Sequence, residues 1–331
     1  MFFKKLKNKL GLLLLMFMLV PYQVLAYSDY IIAGGENIGI ELKSTGIIIV
    51  GTYSVGDINP AKVANLQNGD KIIKINDSDV TTIEEMLEAI DNSSDKNSVQ
   101  VTYLRGSKRL VTTLSLVKDN NDVYKSGLYV KDSISGVGTL TFIDPNTKIY
   151  GALGHEIIEK TTGQKLEIKD GKIYNSTVTG ITRSSDGIPG EKNARYDTSQ
   201  VYGNVKENTT SGVFGEYTDT LPDKKLYKVA NSEEIKLGKA SILTVISDNT
   251  IKSFDINILK VNNNSAATKN ILFEITDTTL LSETGGIIQG MSGSPIIQGD
   301  NIIGAVTHVV VDDPTRGYGI FITTMLEEAE N

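Results

Sequence analysis

The stretch GGIIQGMSGSPI (residues 285–296) sets two serines among four glycines, with Pro295 behind them and apolar residues on both sides. A serine hydroxyl is a weak nucleophile at its own pKa, so a reactive serine needs a base within hydrogen-bond reach and donors aimed at the oxyanion. Gly290 can adopt the positive φ of a tight turn, which lets the N–H groups of Gly290 and Ser292 converge on one oxygen. The alternative is a small-residue loop with no chemistry.

A base narrows the choice. The chain has only two histidines, His155 and His308. His155 closes the run TKIYGALGHEI (residues 147–157), where it follows an apolar strand and Gly-Ala-Leu-Gly, a place from which it would face a cleft. The plain alternative is an incidental surface histidine. His308 lies within the apolar run NIIGAVTHVVV (residues 301–311) and reads as a half-buried strand residue beside the substrate path. Gly290-Met291-Ser292-Gly293-Ser294-Pro295 is similar to the Gly-x-Ser-Gly-x-Pro pattern around the nucleophile of chymotrypsin-like proteases and differs from the Gly-x-Ser-x-Gly elbow of α/β-hydrolases. Histidine first and serine last is also the chymotrypsin order.

Outward from these motifs, residues 128–331 contain many short β-type runs separated by Gly, Asn, Asp and Ser clusters, and almost no helical periodicity before the last dozen residues. A mainly β fold follows, a β-barrel or a pair of barrels; the serine motif and the histidine-first order make a chymotrypsin-like double β-barrel the expected peptidase domain over 128–331. Upstream, TTIEEMLEAI (residues 81–90) places Ile83, Met86, Leu87 and Ile90 on one helical face, and Thr81 with Glu84 or Thr82 with Glu85 fits a capping box. Strand-like runs surround it. The segment NPAKVANLQNGDKIIKINDSDVTTIEEMLEAI (residues 59–90) resembles a PDZ domain of the bacterial protease-associated type. The resemblance implies a small domain over 27–118, a sheet plus one or two helices, followed by a polar linker over 119–127. It also implies a groove that accepts peptide C-termini or internal segments as an added strand, along Ile38-Gly39-Ile40 and facing Ile83 and Met86.

Residues 1–26 carry lysines at 4, 5, 7 and 9, an apolar run and the site Val24-Leu25-Ala26. They read as an export signal peptide or an N-terminal anchor, so the domains are expected outside the cytoplasm. There is no cysteine, hence no disulfide, and two histidines without thiols argue against a metal or other cofactor. The net charge of −7, without a basic stripe, argues against a nucleic-acid partner.

Both halves together resemble the stage IV sporulation protein B family of PDZ-containing serine peptidases, through GALGHEI, GIPGEK, GGIIQGMSGSPIIQ and IIGAVTHVVVDDPTRGYGIFI. The resemblance implies a catalytic triad of His155, Asp277 and Ser292, with Asp277 fifteen positions before the serine. Taken on position alone, Asp144, Asp186, Asp300, Asp312 and Asp313 are further acids to weigh. It further implies release into the space between mother-cell and forespore membranes, self-processing, self-association for cleavage in trans, and cleavage of a membrane-anchored regulator of an intramembrane protease that matures a late sporulation sigma factor. Two other classes compete: an inactive PDZ/β-barrel peptide-binding protein, and an envelope quality-control protease. The second places its PDZ domain after the protease, the reverse of the order here.

Overall fold

The computed structural model describes residues 27–263 and 268–330; the signal or anchor expected at 1–26 lies outside them. The chain begins with β1 (Tyr30–Ala33) and the 16-residue β2 (Asn37–Thr52). Two phases run through β2. Ile38, Ile40 and Leu42 are buried on one side, and Ile47 and Ile49 continue the burial out of step, with a register shift between Lys43 and Ile48. Because strand side chains alternate with period two, a slip of one residue sends the second half's apolar set to a different core.

That second core belongs to a small inserted module. It holds α1 (Pro60–Val63), capped by Asn59, then β3 (Lys71–Ile75), β4 (Ser78–Asp79), α2 (Ile83–Asp91), β5 (Ser98–Arg105) and β6 (Lys108–Ser115). Of the two capping boxes open in the sequence, the structure takes Thr82 with Glu85. Met86 is buried with Ile47, Ile49, Ile72 and Val101, and Ile83 packs against them, whereas Leu87 remains 54% exposed. Asp70, buried in the Gly69-Asp70 turn, takes both Nε and a terminal N–H of Arg105 at 2.7 and 2.8 Å. A minimal hairpin of β7 (Val117–Lys118) and β8 (Tyr124–Lys125) occupies the linker. The chain then returns along β9 (Leu128–Ile143), which pairs with β2 from Leu128 to Thr139, with a break in the ladder opposite residues 44–47.

With β10 (Ile149–Ala152), β11 (Ile168–Thr182), β12 (Gly190–Thr209) and β13 (Gly212–Tyr217), the ribbon closes an antiparallel barrel in the order β2, β11, β12, β13, β10, β9. Its core contains Ile38, Ile40, Leu42, Leu140, Tyr150 and Val213. After β14 (Leu226–Val229) come β15 (Gly238–Val245), β16 (Ile251–Val261), β17 (Ile271–Ile275), α3 (Thr278–Thr284), β18 (Ile288–Gln289), β19 (Pro295–Gln298), β20 (Asn301–Val309), β21 (Arg316–Phe321) and α4 (Ile322–Ala329). A second antiparallel barrel closes in the order β15, β16, β17, β21, β20, β19. Between the barrels, Ile31, Phe142, Phe214, Ile302, Ile322 and Met325 form a shared core, so β1 and α4 act as mortar. The expected double barrel is present.

Two expectations need correction. The small domain comes ahead of most peptidase strands in the chain, as expected, but it does not take up the whole of 27–118. Residues 37–43 are staves of the first barrel, and the module is inserted between the two strands of a continuous ribbon. Likewise Ile38-Gly39-Ile40 is no open groove, because β9 lies on one edge and β11 on the other, and the ring of Tyr196 covers Gly39, where a Cβ would come within 2.3 Å. The strand beside α2 is the first part of β9: the Ile83 N–H donates to Asp132 at 2.8 Å, and among the described residues no strand pairs with the second edge of residues 128–132.

Candidate active site

His155 reaches the cleft because its strand ends abruptly. Leu153 and Gly154 both have left-handed backbone, φ +68° and +72°, which turns the chain out of the first barrel directly after β10. Asn208 holds the loop beyond, accepting from Ile157 N–H at 2.7 Å and donating to the carbonyls of Ile157 and Leu166. The His155 ring bonds through Nδ1 to the Glu156 carbonyl at 2.8 Å. A carbonyl only accepts, so this bond places a proton on Nδ1, and in the neutral ring Nε2 keeps the lone pair.

Ser292 comes from the second barrel, on the turn between β18 and β19. Gly290 (φ +93°) and Gly293 (φ +92°) give that turn its shape, and a Cβ on Gly293 would meet the Thr139 carbonyl at 2.1 Å. The first barrel clamps the turn: Thr139 N–H donates to the Ser292 carbonyl at 3.0 Å, Thr139 Oγ1 to the Gly290 carbonyl at 2.8 Å, and Thr141 Oγ1 to the Gly293 carbonyl at 2.8 Å. The Ser292 N–H has no acceptor among the described residues. Ser292 is half-buried, whereas Ser294 is 0% exposed and its hydroxyl has no partner among the described residues. Only Ser292 is open to a substrate.

His155, Ser292 and Gly290 line one cleft of about 900 Å³ between the barrels, which extends along residues 133–137 of β9 and 191–194 of β12. In this state the Ser292 hydroxyl donates to the Thr307 carbonyl at 2.9 Å rather than to His155. His308, the next residue, sets its ring 5.3 Å from that of His155. Burial, followed by the nearby His155 and Lys269, pushes the His308 imidazole down to about 4, so it is neutral at ordinary pH, and its buried Nδ1 has no partner among the described residues.

Asp277 is not with them. It is the N-cap of α3: one carboxylate oxygen accepts from Leu280 N–H at 2.9 Å, the other faces Asp255 N–H at 3.5 Å, and the residue does not line the cleft. An aspartate ahead of a helix satisfies orphan amides, and here that local demand takes the carboxylate. The expected orientation of His155 by Asp277 is therefore corrected: the Glu156 carbonyl holds Nδ1 instead.

Two contributors escaped the sequence reading. Thr139 lies in an ordinary strand run. Lys192 sits in the polar string Gly-Glu-Lys-Asn, yet its side chain is 1% exposed and burial alone lowers its ammonium to about 7. Nothing local distinguishes a lysine that will be enclosed from one that will be solvated.

A histidine and a glycine-flanked serine, delivered from opposite barrels to one cleft, are the arrangement of a serine peptidase, and residues 122–326 match the SpoIVB peptidase S55 family. The chain belongs to that family. This S55 peptidase also matches a PDZ domain over residues 37–116, a range that starts inside the barrel half of β2. Among curated proteins none matches the S55 peptidase in sequence. Among solved structures it is similar to the Rv3671c protease in its inactive form, at 12% identity and a TM-score of 0.34 over 59% of this chain and 85% of that one. The active form of Rv3671c from M. tuberculosis gives 14% identity and a TM-score of 0.33 over 60% and 74%.

Proposed function

We propose that this serine peptidase is an exported endopeptidase in which Ser292 is the nucleophile and His155 the base, and that it cleaves itself and a membrane-anchored regulatory protein. The observation that carries the catalytic reading is the shared cleft, where a half-buried serine on a positive-φ turn meets a histidine whose Nε2 is free to accept a proton.

The Ser292 side chain turns about χ1 from the Thr307 carbonyl toward His155. Nε2 takes the hydroxyl proton as Oγ bonds to the scissile carbonyl carbon, and the negative charge moves to the carbonyl oxygen, toward the N–H groups of Gly290 and Ser292. The imidazolium, held at Nδ1 by the Glu156 carbonyl, gives its proton to the departing amine nitrogen as the C–N bond breaks. Water repeats the sequence on the acyl-enzyme with the same proton traffic and restores Ser292. The PDZ domain presents the substrate, through the open edge of residues 128–132 beside α2 rather than through Ile38-Gly39-Ile40.

Family membership supports the wider reading: release into the space between mother-cell and forespore membranes, self-association for cleavage in trans, and activation of an intramembrane protease that matures a late sigma factor. Incubating the purified protein, wild type beside Ser292→Ala, with a fluorophosphonate probe and following the fragments by mass spectrometry tests the enzymatic core. Labelling and self-cleavage confined to wild type are expected. A wild type that neither labels nor fragments would return the protein to the peptide-binding class.

A further inference from the structure

Behind the serine turn lies a buried lysine that the reaction scheme does not use. Lys192, near the start of β12, sends its side chain under Gly290, whose missing Cβ would otherwise sit 3.0–3.2 Å from the Lys192 Cβ, Cγ and Cδ atoms. Its ammonium donates to Thr244 Oγ1 on β15 at 2.9 Å and to Thr139 Oγ1 on β9 at 3.4 Å. All three residues are essentially unexposed. The titratable side chains that share the cleft are Glu191 and Tyr196 from its own strand, and Lys131, His155, Glu156, Glu159 and Lys160 across it. None is hydrogen-bonded to Nζ.

An enclosed ammonium without a carboxylate partner is costly. A lysine kept for packing alone would be better replaced by methionine. What the charge does here follows from donor arithmetic. In its protonated form Nζ only donates, so Thr139 Oγ1 then accepts from it, and the single Thr139 hydroxyl proton is directed to the Gly290 carbonyl, where it is found at 2.8 Å. The same ammonium reaches Thr244 on the other barrel, so one side chain joins the two barrels at the back of the turn that carries the nucleophile.

We propose that Lys192 is a positioning residue of this peptidase: acting through Thr139, it holds the Gly290 carbonyl and thereby the peptide planes that aim the Gly290 and Ser292 N–H groups at the oxyanion. The proposal rests on the catalytic reading of Ser292 and extends it to a residue that touches neither substrate nor the reacting atoms. Because the oxyanion donors matter most in the transition state, loss of Lys192 should fall on kcat and leave KM nearly unchanged.

The test compares Lys192→Met, Thr139→Val and Thr139→Ser with wild type. It uses the fluorophosphonate labelling rate, kcat and KM on a peptide substrate, and hydrogen exchange of the peptide covering residues 286–294. Labelling rate and kcat should fall about 10-fold or more in Lys192→Met and Thr139→Val, since one misplaced oxyanion donor costs on the order of 10²–10³. Thr139→Ser should restore them, and exchange in the turn should be faster in the two impaired variants only. Wild-type labelling rate and exchange in Lys192→Met would overturn the proposal. If Lys192→Met fails to fold, the Thr139 pair decides, and equal rates in Thr139→Val and Thr139→Ser overturn it. An unreactive wild type whose turn nonetheless loosens in Lys192→Met would sink the peptidase reading while leaving the positioning role intact.

Discussion

The Thr139 N–H donates to the Ser292 carbonyl at 3.0 Å, so the turn that carries Ser292 on the second barrel is hydrogen-bonded to a strand of the first. The cleft between the barrels is therefore not a seam between independently placed walls. Three bonds from Thr139 and Thr141 fix the turn against the barrel that supplies His155, and the shared apolar core around Phe142 and Ile302 keeps the two in register.

Ser292→Ala should lower turnover by on the order of 10⁶-fold, the scale of losing a serine nucleophile, with melting close to wild type. Ser294→Ala should keep probe labelling and melt at or above the wild-type temperature, because it deletes a buried hydroxyl that has no partner. Labelling that persisted in Ser292→Ala would reassign the nucleophile.

Asp277→Ala should lower stability by about 1 kcal/mol, the usual worth of an N-cap, while Asp277→Asn, an equally good cap, should be nearly neutral. Turnover in both should stay within a few-fold of wild type. A fall of about 10⁴-fold in Asp277→Asn with intact melting, the size associated with losing a triad aspartate, would restore Asp277 to the triad.

The insertion of the PDZ domain makes a surgical prediction. Lys43 and Ser133 are opposed partners in the β2/β9 ladder, so replacing residues 44–132 by Asn-Gly should close a tight hairpin and leave a folded peptidase that still labels. Deleting residues 27–120 should instead unfold the protein, since it removes β2 from the first barrel. Circular dichroism and probe labelling of both variants check this; a folded, labelling deletion beside an unfolded hairpin variant would contradict the insertion.

Acid should act through His308. Its folded pKa of about 4 lies below the ordinary 6.5, so as pH falls the unfolded chain takes the proton first. Stability from this residue is intact above about pH 6.5 and lost progressively toward pH 4. Melting of wild type should therefore drop more steeply over that window than melting of His308→Gln, and coincident slopes would show that His308 is not held neutral.

Lys192 should act at the alkaline side. In the fold its pKa lies near 7 against 10.5 for a free lysine, so between those values the unfolded chain binds more protons and stability rises with pH. Denaturant titrations at pH 7 and pH 9 should show wild type gaining stability relative to Lys192→Met. A constant difference between the two would mean that the ammonium is not enclosed as described.

Much of this protein was legible locally. A capping box, a Gly-Asp turn, alternating β-branched runs and the Gly-Met-Ser-Gly-Ser-Pro turn each carry their own backbone instructions within a few residues, so the α2 helix, the mainly β fold and the tight turn at Ser292 could be read before any contact was known, whereas the cleft that Ser292 shares with His155 is a product of the fold. Asp277 shows where such reading stops: its position after an apolar strand suits a triad acid and a helix cap equally, and the orphan amide of Leu280, present only once α3 forms, claims it. The division of β2 between barrel and PDZ domain also depended on long-range pairing, because Ile38 and Ile49 are alike as strand residues and only their partners on β9 and β11 separate them. Lys192 is the clearest case. Polar neighbours in sequence predict solvent, but burial is set by which surfaces close over a side chain, and those surfaces come from β9, β15 and the serine turn, distant in the chain and brought together only when both barrels fold.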